Sequence, residues 1–538
     1  MDSGSSESRN SSPNHEYISE EQSDYVNSSD ELEDEHESPV FDPFYSSDEQ
    51  ESPRKRMKHS NVDRITNLPD TMITHILSLM PVDEAVRTQL LSKRWRHAWA
   101  SSSVLRFSQT WFPGNNHTNT NEFITNALML HKGQLKSLSL LGLQDWRTGV
   151  KPLTNLWLQC AINKQIEVLV LEFCRYENKS YSLPYSLFLC DSLREFSLRA
   201  TKFDLGFSVF WKSLKKLSLK CVTNLFNDKI HKIIEGSPEL ESFILSQCAG
   251  FNQIIISSGR KLRNLVIEDG GSQNYDYDER ENAKDKRYEL LEISGSSIRS
   301  LEISGFMGWQ DFRLRDVSSL VQVNFRFCTM NEHNEDNNLR SSYSSRAVEM
   351  MHLLIRKISH VAKLSLGTWC TQVLSLCELG SEPTIPLQCK VLEIDSIYEK
   401  SLPGIARLLR SSFCLERLTF YMTPYRNHQA IDSSVLVDFN GENYWKSTEI
   451  KNLWQHLKVV QFIGLFNEME REYMVELAEY ILDHANVLEK LVLKPGEGAY
   501  GQHRLFQSSD FRHSSLFQVM QKLLGYPRSS RHARVLLL

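Results

Sequence analysis

Side chains able to do covalent or metal chemistry are present in this chain, but not at the spacings that such chemistry needs. The ten cysteines lie far apart without a CxxC pair, so neither a zinc site nor a disulfide framework is indicated. The sequence patterns of a phosphate-binding loop, a dinucleotide-binding turn, a zinc-protease helix and a serine nucleophile elbow do not occur. Scattered His and Asp residues do not by themselves define a triad. We therefore expect no catalytic residue, no metal and no cofactor, with an enzyme of unfamiliar type as the alternative.

The charged residues are unevenly distributed. Residues 1–52 carry sixteen Asp and Glu against a single Arg, whereas the whole chain has a net charge of -6, so the remainder is mildly basic at +9. Because residues 1–60 are rich in Ser, Asp and Glu and poor in aliphatic residues, we expect them to form a disordered acidic tail. The basic excess of the body is too small to demand nucleic acid as a partner. No apolar run is long enough for a membrane span, and the first residues do not resemble a signal peptide.

A compact basic cluster follows the acidic tail. It resembles a nuclear localisation signal and consists of Arg54, Lys55, Arg56 and Lys58. The alternative is a basic linker that pairs with the acidic tail. We expect a nuclear or cytoplasmic protein, or one in both compartments, with the nucleus slightly favoured.

Residues 61–107 have the pattern of three short helices. Ile73, Ile76, Leu77 and Met80 recur at the spacing of one helical face, and Pro81 ends that helix. A second helix begins near Asp83, and Ser92 suits the N-cap of a third, in which Trp95 and Trp99 share one face. A unit of this size has a small interior, so a partner protein is expected to stabilise it.

The same stretch closely resembles the plant F-box, with its opening LPD, its central HILSLMP, its AVRT and its SKRWRHAW. Met80, Gln89 and Ala98 are mild departures from the family pattern. The resemblance implies docking onto a Skp-type adaptor and, through it, onto a cullin. The positions that match the docking pattern, some of them buried internally, are Leu68, Pro69, Ile76, Leu77, Met80, Pro81, Leu90, Ser92 and Trp95.

A pattern of three apolar positions, as in Leu135, Leu138 and Leu140, recurs thirteen times through residues 108–444 and beyond. Its spacing resembles that of leucine-rich repeats with insertions. Each copy predicts one short strand that cannot bury its own apolar face, so we expect an α/β solenoid with a curved parallel sheet. An extra partial copy around Leu291 leaves the repeat register near 285–303 unresolved. Three cysteines, Cys174, Cys248 and Cys328, occupy the Asn/Cys position of the repeat and are interpreted as structural.

Residues between the repeated leucines are expected to face outward on the concave surface. Arg199, Lys216 and Lys220 would then be neighbours and could form a positive patch for an acidic or phosphorylated target. A solvated polar face is the alternative. Three polar stretches, at residues 270–287, 331–345 and 423–447, are predicted to be loops.

Residues 445–494 predict a strand, a helix and a strand, and resemble the FBD module of plant F-box proteins. They read as one more repeat that closes the solenoid, with residues 495–538 forming its end. Taken together, the resemblances imply a non-catalytic substrate-recognition subunit of an SCF-type cullin-RING ubiquitin ligase. Two alternatives stay open: a receptor of the same architecture that needs a small molecule, and an adaptor-binding protein without a role in ubiquitination. The sequence does not identify the target.

Overall fold

A computed structural model describes twelve parts of the chain. They are residues 65, 68–108, 117–143, 150–173, 183–200, 208–271, 290–329, 337–422, 439–450, 455–464, 468–494 and 509–538. The acidic tail, the basic cluster and Cys174 lie outside these residues, as do residues 272–287, 331–336 and 423–438 of the three predicted insertions. The prediction of a loop over residues 331–345 is wrong from Asn337 onward, because a helix spans Asn337–Lys357. A short helix at Tyr444–Ser447 likewise replaces the end of the third predicted loop.

The first described elements are short helical segments. Helix α1 spans Asp70–Ser78 and α2 spans Val82–Arg87, each following a proline, and 3-10 turns span Thr88–Leu90 and Trp95–Ser101. The third segment was expected to be a helix capped by Ser92, and that expectation is wrong in detail. It is a 3-10 helix that begins at Trp95, and the Ser92 hydroxyl makes no hydrogen bond. Only the Ser92 carbonyl takes part, accepting the Trp95 N–H at 3.1 Å.

In the described part of the chain, fifteen parallel strands form the main sheet. In sheet order they are β1 (Val104–Ser108), β2 (Ser137–Leu143), β3 (Val168–Phe173), β4 (Glu195–Arg199), β5 (Lys216–Lys220), β6 (Ser242–Ser246), β8 (Asn264–Glu268), β10 (Ser300–Met307), β12 (Gln322–Thr329), β13 (Lys363–Leu366), β14 (Val391–Asp395), β15 (Arg417–Met422), β16 (Val459–Gly464), β17 (Lys490–Lys494) and β18 (Arg534–Leu537). All thirteen strands predicted from the leucine spacing are present, and β1 and β18 are additional. The sheet is open, since its end strands do not pair with each other.

A second sheet explains the irregular register near Leu291. Strands β7 (Gln253–Ile255), β9 (Leu290–Ser294) and β11 (Asp311–Arg315) pair in the order β11-β9-β7. The partial repeat at Leu291 therefore belongs to a separate three-stranded parallel sheet and is not a misplaced copy of the main repeat.

Alternation along the main strands builds the core. The second residue of every strand lies in one register column from Leu105 to Val535, and each of these side chains is at most 6% exposed. Neighbouring strands contribute one such side chain each, so the column forms a continuous apolar layer that a single repeat could not bury.

Left-handed residues extend the ladder between several repeats. Cys221, Gln247 and Asp269 follow directly after their strands with φ of 64°, 56° and 49°. Their N–H groups donate to carbonyls of the next strand at 2.7–2.9 Å. These turns bring the chain back after each strand without leaving those N–H groups unpaired.

The remaining helices connect the strands. They are α3 (His117–Leu130), α4 (Val150–Asn163), α5 (Tyr185–Phe188), α6 (Asn227–Gly236), α7 (Asn337–Lys357), α8 (Thr368–Leu379), α9 (Leu402–Ser411), α10 (Tyr444–Ser447), α11 (Glu468–His484) and α12 (Ser509–Leu524). The apolar stripe expected in the C-terminal module, Met474, Leu477, Ala478 and Ile481, is fully buried on α11 between β16 and β17 in the chain.

Candidate docking surfaces

The buried side chains of the F-box-like segment belong to the same hydrophobic core as those of the repeats. Ile73 and Leu77 on α1 are at most 1% exposed, and Trp95 of the third segment is 3% exposed. Of the side chains assigned to adaptor docking, Leu77 and Trp95 are therefore core residues that hold the segment together. Leu68, Ile76, Met80, Pro81 and Ser92 are half-buried.

The outer surface of this segment is unusually apolar. Leu90 is 86% exposed, and Pro69 is also exposed. Four further apolar side chains that the sequence reasoning did not single out are exposed by 48–63%: Ile65, Met72, Leu79 and Leu91. Of these four, Met72 lies on α1 and Leu79 directly follows it. The helical period could have identified both, because it places them outside the buried face of the helix. Five of the twenty-two large hydrophobic side chains exposed in the described part of the chain thus fall between residues 65 and 91.

An ion pair connects parts of the segment to each other, and helix packing connects the segment to the repeats. Arg94 donates to the Asp70 carboxylate at 2.6 and 2.9 Å and so connects the third segment to the start of α1. This ion pair is largely exposed, so it contributes at most roughly 0.2–1 kcal/mol to the folding stability. Helix α2 packs against β1, so the first strand of the repeat sheet carries the F-box-like segment.

The predicted positive patch is compensated by carboxylates. The register places Arg199 beside Glu172 and Lys216 beside Glu195 on adjacent strands. Arg199 forms an ion pair with Glu172, and Lys216 donates to Glu195 at 2.8 Å. Burial lowers the pKa of Arg199, but the Glu172 hydrogen bond and charge outweigh it, so the pKa is raised overall. Lys220 lies beside Arg199 as expected. Target binding by these three residues stays a prediction.

A second network lies on the outward positions of β12 to β15. Arg326 Nε lies 2.9 Å from Asp395 Oδ1 in an ion pair, and Arg326 Cζ lies 5.3 Å from the centroid of the Tyr421 ring. Glu393 accepts from Lys363 at 2.7 Å and from Ser365 at 2.7 Å. Desolvation raises the pKa of Asp395, opposed by Arg326.

This network bridges strands that are not neighbours. Arg326 on β12 reaches Asp395 on β14 because Gly367 follows the intervening strand β13, and a Cβ on Gly367 would lie 2.9 Å from the Arg326 Cα. Sequence reasoning missed the network because the contact depends on strand order. Both halves of the outward surface therefore pair many of their charges internally, and their side chains are set in position before any partner binds.

The cysteines of the described residues have structural surroundings. Cys248 is fully buried and donates to the Leu219 carbonyl at 3.3 Å, and burial raises its pKa to about 12. Burial likewise raises the pKa of Cys328 to about 12. Within the same residues no group of three His, Cys, Asp or Glu side chains could hold a metal ion. No helix in this part of the chain is long and apolar enough to cross a bilayer.

The fold and its F-box-like segment define the class: an F-box followed by leucine-rich repeats. Family models agree with each part. An F-box domain model matches residues 65–107, a model of the leucine-rich repeats of FBD-associated F-box protein At5g56370 matches residues 154–281, and an FBD model matches residues 446–493. None of these models describes an enzyme.

Three curated relatives are named as F-box/LRR-repeat proteins. Putative F-box/LRR-repeat protein At5g02930 of Arabidopsis thaliana is 26% identical over 450 residues, covering 81% of this chain and 87% of the relative. Putative F-box/LRR-repeat protein At3g28410 of the same plant is 26% identical over 453 residues, covering 82% and 89%. F-box/LRR-repeat protein At5g02910, also from this plant, is 28% identical over 367 residues, covering 67% and 72%. The chain therefore contains an F-box, leucine-rich repeats and an FBD module, and it is similar in sequence to plant F-box/LRR-repeat proteins.

Proposed function

We propose that this protein is the substrate-recognition subunit of an SCF-type cullin-RING ubiquitin ligase. Its F-box docks a Skp-type adaptor and through it a cullin, while the repeats hold a protein target. The chain itself contributes no catalytic residue. It accelerates ubiquitination by raising the effective concentration of target lysines near the charged enzyme.

The exposed apolar surface of the F-box carries the docking proposal. Leu90, Leu91, Leu79 and Met72 are exposed apolar side chains of this segment. Exposed apolar clusters of this kind mark protein interaction sites. A partner that covers them gains roughly 25 cal/mol per Å² of apolar area removed from water.

Target binding is proposed for the outward positions of the repeat strands. They present charged and polar side chains such as Lys220 and Arg326 on a rigid sheet, and rigid placement lowers the ordering cost of binding. A matched test reverses Lys216 and Lys220 to Glu in the full chain. Reduced target capture with unchanged adaptor binding is expected, whereas unchanged target capture would remove this patch from the proposal.

A nuclear pool is part of the proposal. Its support is the basic cluster at Arg54, Lys55, Arg56 and Lys58 in the sequence. Replacing these four residues with Ala in a fluorescent fusion should shift the protein toward the cytoplasm. An unchanged distribution would show that the cluster acts only as a basic linker.

Affinity capture from plant cells tests the ligase proposal. The wild type should recover a Skp-type adaptor and a cullin, and Leu68→Ala/Pro69→Ala should recover less of both. Proteins that accumulate when the chain is absent and coprecipitate with it are candidate targets. Capture of the adaptor by wild type and double variant alike would exclude this docking surface, and no adaptor with the wild type would exclude the ligase role. A capture list that changes with added small molecules would indicate the receptor alternative.

A further inference from the structure

The last strand of the main sheet has a neighbour on one side only within the described residues. β18 pairs with β17, and its other side faces no other described strand. At the opposite end of the sheet, β1 is covered by α2 of the F-box. The two ends of the sheet therefore differ: β1 contacts a helix, whereas β18 has one unpaired side among the described residues.

Backbone groups at this edge point away from the sheet. Arg534 N–H donates to the Glu489 carbonyl at 2.9 Å, and Leu538 N–H donates to the Leu493 carbonyl at 3.0 Å. Since alternate residues of a parallel strand direct their N–H and C=O groups to opposite sides, Val535 and Leu537 direct theirs outward. An extended chain laid alongside would find two donors and two acceptors in strand geometry.

The apolar surface of β18 is also incompletely covered. Leu537 is 41% exposed, whereas Leu493, its register partner on β17, is 0% exposed. Leu538 is 66% exposed. In the interior of the sheet, the next strand covers side chains at these positions.

The charge at the same edge is positive. Lys490 and Arg534 occupy one register position on adjacent strands, both are exposed, and neither forms an ion pair within the described chain. Like charges directly side by side on a sheet are unfavourable. Two other lysines in the same register row do form ion pairs: Lys216 pairs with Glu195, and Lys363 pairs with Glu393.

The surrounding residues add to this charge. Arg531 and His532 are exposed just before the strand, and Glu489 is the neighbouring carboxylate, one residue before Lys490. The edge thus combines free backbone groups, exposed leucines and a net positive charge at the start of the strand.

We propose that the β18 edge binds an extended acidic segment of a protein partner as a sixteenth strand. An acidic residue of that segment lies beside Arg534, and apolar residues lie beside Leu536 and Leu538. Main-chain hydrogen bonds supply affinity and the alternate side chains supply selectivity. This surface is separate from the F-box, so its failure leaves adaptor docking untouched. The competing role for the same charges is protection of an exposed edge against any strand pairing.

Fluorescence anisotropy with the full chain tests the proposal. The probe is a labelled, acetylated Glu-Thr-Val-Thr-Val-Thr-Glu peptide, whose acidic ends permit either strand direction. Saturable binding is expected, weakened by added salt because the contact is partly ionic. The same peptide with Lys in place of both Glu, or with Pro in place of the central Thr and one adjacent Val, should bind at least tenfold more weakly. Adjacent residues direct their N–H groups to opposite sides of a strand, so one of the two removed N–H groups faces β18 in either strand direction.

Protein variants separate the two contributions. Arg534→Glu should lower probe affinity at least tenfold, and so should Leu537→Pro, which removes an outward N–H. Arg417→Glu is the matched control, because Arg417 is an exposed cation in the same register row of β15 without an ion pair in the described residues. It should bind the probe within twofold of the wild type, and thermal unfolding confirms that each variant folds.

Three results would overturn the proposal. They are absence of saturable binding to the wild type, equal binding of the Pro-containing peptide, and an Arg534→Glu variant with wild-type affinity. Concentration-dependent dimerisation abolished by Leu537→Pro would assign the edge to a second copy of the chain and likewise reject an acidic partner.

Discussion

Truncating Leu90 should weaken adaptor binding without destabilising the protein. Leu90 is 86% exposed, so nearly all of its side chain is available for a partner to cover. Leu90→Ala removes three carbon atoms, each worth about 0.8 kcal/mol when buried, so the loss is up to about 2 kcal/mol or roughly 30-fold in affinity. Biolayer interferometry with a purified Skp-type adaptor measures this change in affinity. In urea unfolding, Leu90→Ala should change the free energy of unfolding by no more than about 0.5 kcal/mol.

Two comparison variants make the result specific. Leu77→Ala alters a side chain that is 1% exposed, so it should cost about 2–5 kcal/mol of folding stability through cavity formation. Leu353→Ala removes an α7 side chain that is 46% exposed and far along the chain, and it should leave adaptor affinity unchanged. Adaptor binding by Leu90→Ala within twofold of the wild type would refute a role of Leu90 in docking. A loss of affinity in Leu353→Ala as large as that in Leu90→Ala would refute it as well.

Three further predictions concern the body of the protein. Gly404→Ala should lower the unfolding free energy by about 1–3 kcal/mol in urea titrations, because the new Cβ would lie 2.1 Å from the Thr371 carbonyl oxygen. The control Gly525→Ala should leave the unfolding free energy unchanged, because the atom nearest to its Cβ would be 3.8 Å away. Burial lowers the pKa of His131, so the unfolded state binds more protons near and below about pH 6.5, and stability should fall on acidification by up to about 1.4 kcal/mol per pH unit. Urea midpoints at about pH 7.5 and about pH 5.5 measure that loss, and His131→Gln should reduce it; equal slopes in both proteins would contradict the assignment. Mass spectrometry after brief alkylation at neutral pH should find half-buried Cys160 modified and Cys248 intact, because burial raises the Cys248 pKa to about 12; early modification of Cys248 would contradict its burial.

The repeat fold was largely predictable from the leucine spacing. Each copy places three apolar residues at fixed separation, and that separation alone determines which side of the strand is buried. Strands β1 and β18 escaped because the register puts Ser102 and His532 where the first apolar residue of the repeat stands, so the pattern is broken at both ends.

The second sheet could not be predicted because strand pairing is a tertiary property. Leu291 and Ile293 alternate as a strand should, but nothing local shows that β9 pairs with β7 and β11 instead of joining the main sheet. The ion pair between Arg326 and Asp395 has the same cause, since it depends on Gly367 in the strand connection between them.

The sequence placed an F-box over the residues that the F-box model matches, but the roles of its individual residues could not be separated from the sequence alone. Leu77 and Leu90 are both leucines at family positions, yet one is buried and the other is almost fully exposed. The missed residues Met72 and Leu79 belong to the exposed side of the same helix region. Burial in the folded chain therefore distinguishes residues that stabilise the F-box from residues available to an adaptor.

Isothermal titration of the full chain with a purified Skp-type adaptor tests the central claim most directly. Docking through the F-box should give a one-to-one complex whose binding enthalpy becomes more negative with rising temperature, because burial of apolar surface gives a negative heat-capacity change. Absence of binding at micromolar concentrations, or a complex with no measurable heat-capacity change, would contradict adaptor docking through the exposed apolar surface of the F-box.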